Sequence, residues 1–198
     1  MAGAQDEGER FHAESAAAWA AWLADNHGRP DGVWLVTWKA GTGHPVLGYE
    51  DAVIEGLRYG WIDSRAAPAQ ADISALWFAP RRPGSPWAAT NKARVARLEA
   101  EGRLEPPGRR VIEQAKADGS WSILDGPEAL LVPDDLAEAF ERHPGSRPTW
   151  DGFPKSVRKA HLTAIALAKR PPTKVQRAEA IAAAAAMGLR AFEQPERR

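Results

Sequence analysis

Residues 60–92 read GWIDSRAAPAQADISALWFAPRRPGSPWAATNK, and the folding of this stretch decides the rest of the chain. WIDSR and ISALWFA are short runs of β-branched and aromatic residues separated by a polar, proline-containing segment, so they predict two strands. Upstream, GVWLVTWK (32–39) has the same character behind a glycine and predicts another strand. Between them, YEDAVIEGLRY (49–59) spaces Ala52, Val53 and Leu57 as one helical face, and Gly60 supplies a natural helix stop. The order is β-α-β-β, preceded by an amphipathic helix over 14–26 that carries Trp19, Trp22 and Leu23.

Beyond the second strand of the quoted stretch, Ser85 reads as an N-cap and Pro86 as the first residue of a helix running to about 101. Further helices are predicted over 107–117, behind Pro133, over 154–168 and over 173–187, with 120–132 and GSRPTWDGF (145–153) as loops. Eight of the nine tryptophans lie between positions 19 and 121. That bias divides the chain into a mixed, Trp-rich domain at 11–122 and a helical module at 123–190, with tails at 1–10 and 191–198. The expected class is α+β: a small sheet packed with helices, followed by a mainly helical part.

Composition narrows the chemistry. The chain has no cysteine, so disulfides, thiolate metal sites and cysteine nucleophiles are excluded. No apolar run reaches membrane-span length, and MAGAQDEGER lacks the features of a secretory signal, so a cytoplasmic protein without membrane insertion is expected. Formal net charge is zero, yet residues 81–110 carry eight basic side chains against three acidic ones, and 155–177 carry seven against none. Such stretches are either solvated helix faces or a surface for anions or nucleic acid. The second lacks aromatic residues for base stacking, which disfavours single strands. None of the five histidines stands at metal-ligand spacing, so neither a metal nor another cofactor is expected.

Candidate site residues gather in the opening stretch. Alternation along WIDSR puts Trp61, Asp63 and Arg65 on one face. Asp63 there is a ligand group, a general acid or base, or the partner of an arginine; the residues alone leave these open. In PRRPGSPW, Pro80 and Pro83 stiffen the backbone around Arg81 and Arg82, just ahead of the predicted helix start. Guanidinium forks beside a helix N-terminus suit a carboxylate or phosphate. Because neighbours in an extended segment point opposite ways, one arginine is expected to face the pocket. Asn91 falls on the apolar stripe of Trp87, Val95 and Leu98 and needs a partner, either backbone or ligand.

The segments LRYGWIDS, FAPRRPGSPWAATNKARV, LEAEGRLEPPG and AKADGSW together resemble the YdeI/OmpD-associated, bacteriocin-protection family. FPKSVRKAHLTAIALAKRPPTKVQRAEAIAAAA resembles its helical C-terminal module, so that the likeness spans about 11–190. The resemblance implies that Trp61, Asp63, Arg81, Arg82, Ser85, Trp87 and Asn91 form the pocket. It also exposes two departures: Arg58 where relatives often carry cysteine, and Ala79 where they often carry threonine. A thiol-dependent role at the first position is absent, and Arg58 adds positive charge.

The function expected is binding of a small anionic or polar ligand, in bacteriocin or stress resistance or self-protection. Trp61, Trp77 and Trp87 would be walls, Arg81 or Arg82 the clamp, and Asp63 the opposing group. Two alternatives come from other classes: an enzyme acting on a small molecule in natural-product biosynthesis or detoxification, with Asp63 as acid or base, and a nucleic-acid module using the basic C-terminal helices.

Overall fold

A computed structural model describes residues 8–192. Its elements are β1 (Arg10–His12), α1 (Ala16–Asn26), β2 (Val33–Trp38), α2 (Tyr49–Arg58), β3 (Trp61–Ala66), β4 (Ile73–Pro80), α3 (Ala89–Ala100), α4 (Pro106–Ala117), α5 (Asp125–Glu128), α6 (Asp134–Arg142), α7 (Ser146–Asp151), α8 (Lys155–Ala166) and α9 (Pro171–Ala186). The class is α+β, as predicted: one sheet in the N-terminal part and, among the described residues, helices alone thereafter. Chain contacts divide it into two compact units. One contains the described residues to Ser85 together with Thr90–Trp121; the other contains Pro86–Ala89 and the chain from Ser122 onward.

In the first unit the strands lie in the order β1-β2-β4-β3. β4 runs antiparallel to both β2 and β3, so the β3–β4 hairpin folds back and inserts β4 into the middle. β1, which its three residues RFH did not reveal, adds a parallel edge beside β2. Its first residue, Arg10, falls in the segment expected to be a tail; residues 1–7 and 193–198 of the expected tails lie outside the described residues. One face of the sheet is covered by α1 and α2. There Trp19 packs edge-on to Phe78 with ring centroids 5.3 Å apart, and Trp22 packs edge-on to Trp61 at 5.6 Å. Trp19 Nε1–H donates to the Ala52 carbonyl at 3.1 Å, which ties α1 to α2 while satisfying the buried indole. Burying each such large apolar side chain contributes about 1.5–3 kcal/mol. Gly60, at φ +80°, ends α2 and turns the chain into β3 in a conformation only glycine adopts without strain.

Three expectations are corrected here. Asp63 pairs with Phe78 but Arg65 pairs with Trp77, so a bulge at Ser64 interrupts the alternation of β3. Arg65 therefore leaves the face of Trp61 and Asp63 and stacks over Trp34 on the opposite face, 5.2 Å from the ring centroid. The helix expected from Pro86 begins at Ala89 instead. Ser85 does not cap it: the Ser85 hydroxyl and N–H both donate to the Arg82 carbonyl, closing a turn whose Gly84 sits at φ +73°. Finally, the stretches expected to be loops contain α5 and α7.

The second unit is a helical cluster. Leu136, Ala139 and Phe140 of α6 meet Trp150 of α7, Leu162 and Ile165 of α8, and Ala178, Ile181, Ala182 and Ala185 of α9. Pro171 and Pro172 open α9, where the missing N–H groups cost nothing. His161 is buried and fully engaged: Trp150 Nε1–H donates to its Nδ1 at 3.1 Å, which leaves Nε2–H to donate to the Ala191 carbonyl at 3.0 Å. Among the described residues no helix is long and apolar enough to cross a membrane.

Candidate functional site

The antiparallel register of β2 and β4 builds the site. Val33 pairs with Phe78, so the segment leading into β2 (Arg29–Gly32) runs beside the segment leaving β4 (Ala79–Pro83). A cavity of about 620 Å³ opens between them, lined by Arg29, Asp31, Gly32, Trp77, Arg81 and Arg82 together with the start of the described chain at Gly8 and Glu9. Its size falls within the ~300–1,000 Å³ usual for small-molecule sites.

Both arginines of the RR pair line it, which corrects the expectation that only one would. Arg81 continues the β4 edge, its N–H donating to the Gly60 carbonyl at 2.9 Å, and its side chain is buried, 8% exposed. Burial pushes its pKa down to about 10, because the charged guanidinium is withdrawn from water. It remains cationic at neutral pH. Arg82 lies next along the chain with its side chain exposed. Arg29 is held away from ligand duty by two contacts: an ion pair to Glu9 at 2.7 Å and stacking over Trp22 at 5.3 Å.

Trp77 forms the apolar wall. It stands on the sheet face opposite α1 and α2, edge-on to Trp34 at 5.4 Å, and its benzo ring lies against two glycines. A Cβ at Gly32 would come within 2.6 Å of that ring and 2.4 Å of the Phe78 carbonyl oxygen; one at Gly8 would come within 2.3 Å of the ring. Only a residue without a side chain permits this approach.

The other residues singled out in the sequence are placed elsewhere. Trp61 lies on the helix-covered face, buried, its Nε1–H donating to the His27 carbonyl at 3.1 Å. Asp63, on that same face, accepts from the Tyr49 hydroxyl at 3.0 Å. Burial first, and then the Asp63 carboxylate, push the Tyr49 pKa up, so its hydroxyl stays a proton donor. Arg58 joins an ion network: it meets buried Glu55, Glu105 at 2.8 Å and, through Nε–H, the Arg103 carbonyl at 3.0 Å. Asn91 accepts from Arg94 Nη1 at 2.7 Å, and Arg94 in turn grips Glu50. Ser85 serves the Arg82 turn, and Trp87 is buried in the segment grouped with the second unit. The structure thus unites Trp77, Arg81 and Arg82, and adds Arg29 and Asp31, which sequence reasoning missed. Their signal was present: RPDG at 29–32 is a proline-braced charged turn like PRRP at 80–83, but its position beside the latter depends on a strand pairing no local pattern reveals.

Among the described residues no three His, Asp or Glu side chains gather where they could hold a metal ion. A second cavity of about 530 Å³, lined by Thr37, Lys39, Tyr49, Ser74 and apolar neighbours, lies toward the opposite ends of β2 and β4.

Comparison with known proteins assigns the two parts of the chain separately. The family described as "Domain of unknown function (DUF8412)" matches residues 11–111, and "Bacteriocin-protection, YdeI or OmpD-Associated" matches residues 129–188. The resemblance read from the sequence is borne out over the latter residues. The cavity's arginines, Asp31 and Trp77 lie within the former, while Gly8 and Glu9 of its lining precede it. No curated protein and no solved structure matches the chain.

Proposed function

The chain belongs to the DUF8412 family, the match spanning 11–111 of its 198 residues, and from that premise we propose that this part is a receptor for a small anion, bound between Arg81, Arg82 and Trp77. The observation that carries the reading is the convergence of two arginines, Arg81 and Arg82, and the Trp77 ring on one cavity. Guanidinium forks suit carboxylate and phosphate oxygens, and the low dielectric of a cavity wall strengthens such a contact. Arg82 supplies a second fork at the mouth, and the Trp77 ring supplies apolar contact for the rest of the ligand. The match of residues 129–188 to a bacteriocin-protection family supports a protective role for the binding event.

Isothermal titration with a panel of carboxylates and phosphates tests the reading, comparing wild type with Arg81→Gln and Arg82→Gln. Loss of a charge-assisted contact worth about 1.5–3 kcal/mol weakens binding at least tenfold in each variant. Unchanged affinity in both removes the site.

A further inference from the structure

The cavity of about 530 Å³ lies on the helix-covered face of the sheet, at the ends of β2 and β4 farther from Arg81 and Arg82. Its size also falls within the ~300–1,000 Å³ usual for small-molecule sites. Leu35 and Leu76, paired directly across β2 and β4, form its floor. Leu47 and Ala52, both buried, form the wall below α2. Val46 lines it as well with half of its surface exposed, so apolar area at this cavity still faces water.

Two hydroxyls stand beside that apolar floor. Thr37 pairs directly with Ser74 across the same two strands. Alternation puts both on the face of Leu35 and Leu76, and both line the cavity. Directly opposed residues have Cβ atoms about 4.5–5.5 Å apart, close enough for two hydroxyls to hold one oxygen atom between them. Thr and Ser in such pairs commonly bond to each other. Here, among the described residues, neither side chain has a hydrogen-bond partner. The ionisable groups of the lining are engaged instead. Lys39 Nζ donates to the Gln70 carbonyl, and the Tyr49 hydroxyl donates to Asp63 at 3.0 Å. Among the described residues no carboxylate lines this space. The polar groups it leaves unengaged are therefore neutral.

We propose that this cavity is a second binding site, separate from the anion reading above, for a neutral molecule with a compact apolar body and one hydroxyl or carbonyl oxygen. The oxygen lies between the Thr37 and Ser74 hydroxyls, and the body covers Leu35, Leu47, Ala52 and Leu76. A hydrocarbon of the same shape gains the apolar contact but strips water from two hydroxyls without replacing it. A carboxylate gives up its own hydration against apolar walls, and Lys39 would have to leave the Gln70 carbonyl to neutralise it.

Amide chemical-shift titration of the full chain tests this with para-ethylphenol, ethylbenzene and para-ethylbenzoate, one body with three head groups. The phenol is expected to bind about tenfold more tightly than either of the others, with shifts at Leu35, Thr37 and Ser74. That factor corresponds to about 1.4 kcal/mol, within what two neutral hydrogen bonds supply. The double variant Thr37→Val/Ser74→Ala should bring the phenol down to the affinity of ethylbenzene and leave ethylbenzene unchanged. Ser74→Phe, which sets a ring on the cavity floor, should abolish binding of both. Ser74 is exposed and Thr37 half-buried, so these variants are expected to melt like wild type, and a thermal melt checks that. Tighter binding of the benzoate than of the phenol would make Lys39 the anchor and overturn the neutral ligand. Equal affinity for phenol and hydrocarbon, or indifference of the phenol to the double variant, overturns the hydroxyl pair and the proposal with it. No saturable shift from any of the three probes removes the site.

Discussion

Two buried charges in the first unit, Glu55 and Arg81, have opposite fates. Glu55 is 4% exposed on α2, and its two carboxylate oxygens are taken by Arg58 and, at 2.7 Å, by Arg103. Burial pulls the Arg58 pKa down, but hydrogen bonds and charge from Glu55 and Glu105 more than reverse it, so Arg58 stays charged. Arg81 is buried nearly as deeply, and there burial carries its pKa down. Glu55 sits inside an ion network, whereas Arg81 stands in the wall of a cavity. Residue type therefore says little about function; where the buried charge stands says a good deal.

Breaking the compensated side should give the largest effect. Glu55→Ala leaves two guanidinium groups facing a void in a closely packed helix junction. Removing one partner of a buried pair destabilises by about 3–5 kcal/mol, and urea titration of the variant reads that loss directly. A loss under about 1 kcal/mol would mean that Arg58 and Arg103 find water or Glu105 instead, and the contrast with Arg81 would fail.

Next in size is the Trp77 wall of the cavity. Gly32→Ala pushes a methyl group into the Phe78 carbonyl and the Trp77 ring. Overpacking of this kind costs about 1–3 kcal/mol, and it shifts Trp77 within the cavity. Thermal melting combined with the ligand titration should show stability and affinity falling together.

Arg81→Met reverses the sign. An apolar side chain of similar length keeps the stem's packing and removes the desolvated charge, so stability should hold or rise by about 1 kcal/mol while anion binding is lost. Linkage gives the same direction. The pKa of Arg81 is lower folded than unfolded, so the charge weakens the fold at every pH below about 10 and stops doing so only above it. The methionine variant should therefore gain most at neutral pH and lose that advantage in strong base. A variant that is less stable than wild type at neutral pH would place Arg81 with Glu55 as a structural charge.

How much of this contrast could be read from the residues alone follows from its geometry. The strands 33–38, 61–66 and 73–80 and the helix 49–58 were legible because their side-chain periods of two and 3.6 are local. Arg81 and Arg82 were legible as a candidate site because prolines bracket them. The bulge at Ser64 was not, since it arises from the pairing of β3 with β4, and it moved Arg65 to the other face. Ser85 illustrates a second limit: a good N-cap residue was recruited by a turn to Arg82 three residues back, so the helix begins at Ala89. Asp31 became part of the site only when β4 was found between β2 and β3. Long-range register, not propensity, decided which charges meet.

The smallest effect belongs to the second unit, where carboxylates are compensated at the surface. Glu128 is held below its ordinary value of 4.5 chiefly by Lys159, 2.6 Å away, and Glu179 chiefly by His143 and then Arg142, at 2.8 and 2.5 Å. A carboxylate whose pKa is lowered by folding stabilises the fold above its unfolded value and loses that contribution as pH falls through the folded one. Glu179→Gln should thus lower the melting temperature slightly at pH 7, and the difference from wild type should close as pH falls from the ordinary value of 4.5 through the lowered folded one. Solvent screens such pairs, so the shift should be the least of the four and shrink with added salt. Arg81→Met keeps more of its effect in the same salt, because a guanidinium 8% exposed is screened less than the surface pairs of Glu179. Equal salt sensitivity in the two variants would mean that Arg81 is solvated like a surface charge, and the distinction between a buried charge in a cavity wall and a surface pair would lose its physical basis.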